Sequence, residues 1–281
     1  MRIENATISL VPRTATSCLD LGVRYCGRYV REVGALWAIV ALPSAAVVLA
    51  LGYWREINVW LPVSLVFFAT SPLGVLLGLG AVPSAFGEPF TFARVWHRLN
   101  RGGWRLLALG LAYRLGIALG LMLCVVPGVF LALRTGFFVE LHTLQSMERR
   151  LHDRHTAELF KEEASELVFR GMAIIAFCGL LWLLMFITAD VALDLLFGFP
   201  ILLGRLLDGG LMLSGDAAVA LMFEDPWVLA LITLTALAVY PVGRMAWFFC
   251  YVDTRVRRDC WDMELQFSRE ARRLEGEGIA Q

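Results

Sequence analysis

The sequence predicts an all-α integral membrane bundle of about six transmembrane helices with amphipathic interfacial helices, and three observations carry that reading. Of 281 residues, 58% are apolar and only 18% charged, a balance too apolar for an ordinary soluble domain of this size. Long uncharged runs recur near the roughly 20 residues that a helix needs to cross the hydrocarbon core. The basic residues between those runs are distributed unequally, as loops on opposite faces of a membrane are. Acids and bases balance at 25 each, so net charge points to no nucleic acid or acidic partner.

Three regions follow: a cytoplasmic amphipathic segment over 1–32, a six-span domain over 33–252 and a cytoplasmic tail over 253–281. The opening MRIENATISLVPRTATS lacks the apolar core of a signal peptide, so no cleaved leader is expected. Val33 to Trp54 is uncharged throughout and is the first span, 33–54. Arg55 and Glu56 make a short turn into a second, longer uncharged run, Ile57 to Gly87, read as a span over 58–82. Within it Pro62 suits the entry turn, Pro72 a kink and Pro83 the exit.

In SAFGEPFTFARVWHRLNRGGW, Phe92, Val95, Trp96 and Leu99 recur at helical spacing opposite Arg94, Arg98 and Arg101. That pattern predicts a short helix lying on the membrane surface. The following apolar stretch is too long for one crossing, so it is read as a hairpin turning at Pro127-Gly128, with spans over 105–126 and 128–147. Residues 147–170 are dense in both charges and predict a solvated helical loop. A fifth span covers 171–198, closed by Pro200, and a sixth covers 226–252. Between them, 201–225 reads as an interfacial segment or, as the alternative, a re-entrant turn.

Orientation follows from the distribution of basic residues. With the N-terminus inside, nearly all of those outside the spans fall on cytoplasmic segments, against Arg55 and Arg205 on the outer loops. Basic residues favour the cytoplasmic side, and an even number of spans returns the C-terminus to it. Tyr53, Trp54, Trp60 and Trp227 mark outer borders, and Trp96, Trp104 and Trp247 inner ones.

Charges inside the spans are the candidate site. Ionisable residues at membrane depth are costly and find partners in the protein interior. With the hairpin at Pro127, Arg114 and Glu140 stand equally far from the turn on its two sides. Equal depth predicts an Arg114–Glu140 ion pair, roughly 20 Å below the outer turn. Arg134 and Asp190 also match in depth and are the second predicted pair. Such pairs serve as helix-to-helix glue or line a proton or ion pathway, and the general logic of paired buried charges favours glue.

Motifs for chemistry are sparse. Glu148, His152, Asp153 and His155 cluster in the charged loop, where a solvated face explains them better than a metal site. No phosphate-binding glycine loop, nucleophile elbow or HExxH occurs, so neither catalytic residues nor a cofactor or metal is expected. The six cysteines are scattered without a CxxC pair, and no disulfide is expected.

Val11-Pro12-Arg13 leads into CLDLGVRYCGRYVREVG. A Val126-Pro127-Gly128 hairpin precedes the charged loop, and the last span ends YVDTRVRRDCWDMEL. This order resembles the bacterial membrane proteins related to the glycerophosphoryl diester phosphodiesterase membrane domain. The strongest match is Tyr251, Asp253, Arg255, Arg257, Asp262 and Leu265, while the Glu-Gly that follows the family's fourth span is not evident. The resemblance covers nearly the whole chain. It implies a multi-pass protein of a bacterial cytoplasmic (inner) membrane, represented by the membrane part alone. Only the short segment 253–281 follows the last span, so no catalytic barrel is expected there. The tail is expected to begin as a helix and end disordered. The functional expectation is a non-enzymatic scaffold whose partners are the lipid bilayer and a protein bound through the cytoplasmic segments. The alternative is a transporter or channel component using the buried charge pairs.

Overall fold

A computed structural model describes residues 13–54, 58–85, 87–144, 164–208 and 215–259. The described residues form helices and connecting turns without a strand. Five helical runs are long and apolar enough to cross a membrane, which makes the chain a multi-pass all-α membrane bundle.

Helix α1 (Ala15–Arg28) is started by Thr14, whose side chain accepts from Ser17 N at 3.4 Å. Its apolar face buries Cys18, Leu19 and Gly22. A bend at Tyr29 leads into α2 (Val30–Trp54), so helix begins three residues before the predicted span. Helix α3 (Trp60–Ala85) continues through Pro83 instead of ending there. Proline has no N–H to give the carbonyl four residues earlier, here that of Leu79. Arg98 Nη1 donates to that oxygen at 2.9 Å in its place. The reach of Arg98 fixes the connecting segment beneath α3, and Phe90 fills the space beside Gly80.

The predicted interfacial helix is α4 (Phe92–Arg98), and a π-helical turn over Leu99–Gly103 joins it to α5 (Trp104–Leu123). Gly102 adopts φ 139° in that turn, a conformation that favours glycine. The hairpin after α5 turns at Cys124, whose backbone is extended (φ −168°, ψ 145°), three residues before the predicted Pro127. Pro127 instead occupies the first turn of α6 (Val125–Thr135), where a missing N–H breaks no helical hydrogen bond. The predicted fourth span is then interrupted at Gly136-Phe137 and resumes as α7 (Phe138–Leu144). Close passage explains the break: a Cβ at Gly136 would lie 2.9 Å from Trp247 Nε1.

Helix α8 (Ala164–Phe197) starts seven residues before the predicted fifth span and ends at Gly198, which has φ 63°. Two short helices follow, α9 (Leu203–Asp208) and α10 (Gly215–Glu224). Helix α11 (Pro226–Asp259) runs 34 residues, seven past the predicted border. Its start combines a proline at the first helical position with Asp225, which accepts from Trp227 N at 2.9 Å and Val228 N at 3.2 Å. Both are N-terminal signals.

Helix α11 is the hub, packed against α1, α2, α3 and α8. Its lower half buries Met245, Phe248, Phe249 and Cys250 in one cluster with Leu73, Leu77 and Val82 of α3. The α5–α6 hairpin hangs on α3. Gly110 sits against Ser71, and Gly120 meets Gly128 across the hairpin. Leu123, Val126 and Phe130 at its tip are exposed, as lipid-facing side chains are. Arg13 N donates to Asp253 Oδ1 at 2.5 Å, so both ends of the described chain leave from the same end of the bundle. Five crossings would separate them. The broken pair α6–α7, too short to count among the five, carries the chain back from the hairpin tip towards α11.

Candidate functional site: buried charges

Five charged residues are buried among those described: Glu140, Arg170, Asp190, Arg244 and Asp253. Helices α7 and α11 present the first pair. Arg244 Nη1 lies 2.5 Å from Glu140 Oε1, and the Glu140 side chain has no exposed surface. The contact is an ion pair off the hydrogen-bonding axis, since neither Glu140 oxygen has a hydrogen-bond partner. Room for the guanidinium comes from α3. At Gly74 an added Cβ would collide with the Tyr240 hydroxyl and lie 3.5 Å from Arg244 Nε, and at Gly78 it would collide with Val139.

Glu140 thus pairs with Arg244, and the predicted Arg114–Glu140 pair is not formed. The cause is the hairpin. Moving the turn from Pro127 to Cys124 shifts the pairing of the two arms by almost two helical turns. Gly116 then faces Leu131, which brings the level of Arg114 to that of residue 134 and leaves Glu140 deeper. Arg114 lies over the Phe67 ring, 4.9 Å from its centroid, a cation–π contact suited to an apolar setting.

The second predicted pair cannot be followed from both sides, because the Arg134 side chain lies outside the described residues. Asp190, 1% exposed, accepts from Leu202 N at 3.0 Å and Leu203 N at 2.8 Å. Its carboxylate thereby caps the start of α9 and complements the positive end of the helix. Nearby, Arg205 reaches Asp225 at 2.7 Å and the Pro200 carbonyl at 3.0 Å, which ties α9 to the start of α11.

A third cluster is not legible as a site in the sequence, where its members read as loop or tail charges. Asp253 accepts from Arg13 N, from Arg170 Nη1 at 2.6 Å and from Arg257 Nε at 3.0 Å. Arg170 also holds Glu166 at 2.5 Å, and Arg257 Nη2 donates to the Arg13 carbonyl at 2.7 Å. The cluster joins the residues before α1, the first turns of α8 and the end of α11. A spacing of four between Asp253 and Arg257 is the available signal.

Alongside, the Tyr25 hydroxyl hydrogen-bonds Ser84 Oγ. Burial raises the Tyr25 phenol above its ordinary range and pushes the Cys26 thiol up to about 12. Cys18, Cys26, Cys124, Cys178 and Cys250 are free thiols. Among the described residues no group of three His, Cys, Asp or Glu side chains could hold a metal ion. Glu148, His152, Asp153 and His155, and the tail from residue 260, lie outside the described residues.

Chemically, these arrangements neutralise charge inside an apolar bundle and tie helices to one another. Comparison with family models, curated protein sequences and solved structures finds no match to this chain.

Proposed function

We propose that this protein is a non-enzymatic scaffold of a bacterial cytoplasmic membrane, with both termini in the cytoplasm, that binds a partner protein through its cytoplasmic segments. One observation carries the reading: each of the five buried charges has a structural task. Glu140 and Arg244 join α7 to α11, Arg170 and Asp253 join α8 to α11, and Asp190 caps α9. Buried carboxylates spent on helix contacts are glue, not a conduit. The exposed polar surface is then left for recognition. Arg24, Arg28, Arg31, Arg94, Arg101 and Arg257 are exposed at the end where Arg13 meets Asp253, which supports a cytoplasmic face there. Kinship with the membrane part of the glycerophosphoryl diester phosphodiesterases belongs to the same proposal, supported by the terminal motifs that meet at Asp253.

The test is capture of the mildly solubilised, tagged protein, with mass spectrometry of what accompanies it. A stoichiometric protein partner that is lost on deleting residues 260–281, with Asp253 and α11 intact, is the expected result. A monodisperse protein without a partner rejects the reading. Fluorescent reporters at the two termini, both bright only in a cytoplasmic setting, check the orientation.

A second reading, transport, is favoured by one feature. The chain breaks between α6 and α7 at Gly136-Phe137, beside the Glu140–Arg244 pair, while Pro72 and Pro241 lie inside α3 and α11, which stay continuous. Interrupted helices meeting at a charged site are common in transporters. Ion flux into liposomes that is abolished by Glu140→Gln would select this reading over the scaffold.

A further inference from the structure

We propose that the bundle end where Arg13 meets Asp253 holds a headgroup-binding surface for anionic phospholipid, built from Arg28, Arg31, Arg101 and Arg105. The inference goes beyond the scaffold reading and needs only that the protein is embedded in a bilayer.

Arg28 ends α1, Arg31 begins α2, Arg101 lies in the π-helical turn and Arg105 begins α5. The α1, α4 and α5 segments reach the same end of the bundle, because Phe90, just before α4, packs on Tyr25 of α1 and on Tyr29 just after it, with ring centroids 6.2 Å and 5.4 Å apart. These arginines therefore stand where helices leave the apolar layer, which is headgroup depth.

The nearby acids are already engaged: Asp20 holds Arg24 at 3.0 Å, and Glu88 holds Arg98 at 2.6 Å and Arg94 at 3.8 Å. Among the described residues Glu32, half-buried in the first turn of α2, is the remaining acid near these arginines in the chain. Arg28, Arg31, Arg101 and Arg105 are exposed and have no ion pair among the described residues. Arg28 merely covers the Tyr29 ring at 5.6 Å.

Exposed aromatics identify the occupant. Phe92 and Trp96 stack at 6.3 Å with their rings nearly parallel, and both are exposed, as is Trp104. Large aromatic rings beside unpaired arginines on an interfacial helix match a bilayer surface, with the rings among the upper acyl carbons and the guanidinium groups on phosphate.

Native mass spectrometry of the full chain, offered equal phosphatidylglycerol and phosphatidylcholine with the same acyl chains, tests the proposal. Phosphatidylglycerol should be retained at least about tenfold over phosphatidylcholine, and each Arg→Gln change among the four should lower its affinity about fivefold. Salt at about 0.5 M should erase the preference. Equal retention of the two lipids overturns the proposal, as does undiminished selectivity in the variant with all four arginines replaced. Loss of an acidic protein partner from that variant, with the lipids retained equally, would assign the surface to protein instead. Should the fourfold variant misfold, Glu32→Gln probes the same field. Higher phosphatidylglycerol retention then supports the surface and unchanged retention rejects it.

Discussion

Glu140 and Arg244 are buried together, Arg244 beside Gly74 and Gly78 of α3, and removing one of them strands the other. The expected cost of Glu140→Ala or Arg244→Ala is about 3–5 kcal/mol, read as a large fall in the unfolding temperature of the detergent-solubilised protein. Replacing both by apolar residues of similar volume, Glu140→Leu with Arg244→Met, should recover most of that loss. A double variant no more stable than the singles would mean that the pair is not what holds α7 to α11. Cys26 gives a pH signature at the same scale. Its folded pKa is raised from 9.0 to about 12, so the folded state favours the protonated thiol. That contribution is complete below about pH 9 and is lost as pH rises towards 12. Stability should decline across this window, and Cys26→Ala should flatten the decline.

Elements show why some predictions failed while the spans were legible. Long apolar runs locate α2, α3, α5, α8 and α11, because the bilayer demands long apolar helices whatever their neighbours. Proline is the misleading signal. Pro127 reads as a turn, yet a proline fits the first turn of a helix as readily, and the three-residue difference redirects Glu140 from Arg114 to Arg244. Pro83 reads as a terminus, whereas Arg98 serves the Leu79 carbonyl and lets α3 continue. Periodicity cannot reveal a side chain on another element that stands in for a missing backbone donor.

That substitution is testable. Arg98→Met should cost about 1–3 kcal/mol through the buried carbonyl it leaves unmet. Adding Pro83→Ala restores an N–H to that carbonyl, so the double variant should regain part of the loss. Thermal unfolding of the four proteins in the cycle reads the coupling, and strict additivity would reject the proposed role of Arg98. Likewise, the amphipathic pattern of α1 is legible but its burial is not. At Gly22 a Cβ would lie 2.9 Å from Ala246 N, and one glycine in a helical stripe does not announce the backbone it will touch.

For the whole molecule, burial is uneven. In the central window of α3, 67% is buried inside the protein, against 11% for that of α8. Helix α8 is thus a peripheral span attached mainly through α11, and its first turn is secured by the Arg170–Asp253 contact. Asp253→Asn should loosen α8 and the residues before α1 together. Hydrogen exchange should rise in both 13–28 and 164–175 while the middle of α3 stays protected. Faster exchange in only one of the two segments would show that Asp253 does not link them.

The Arg13–Asp253 contact also has a meaning in time. A ribosome makes residue 13 long before residue 253, so α1 waits through synthesis of the intervening helices before its anchor exists. Until then its buried face has no α11 to cover it and must rest against lipid or a chaperone. Nascent chains arrested before residue 253 should accordingly leave residues 13–28 open to added protease, and chains released past residue 259 should close them.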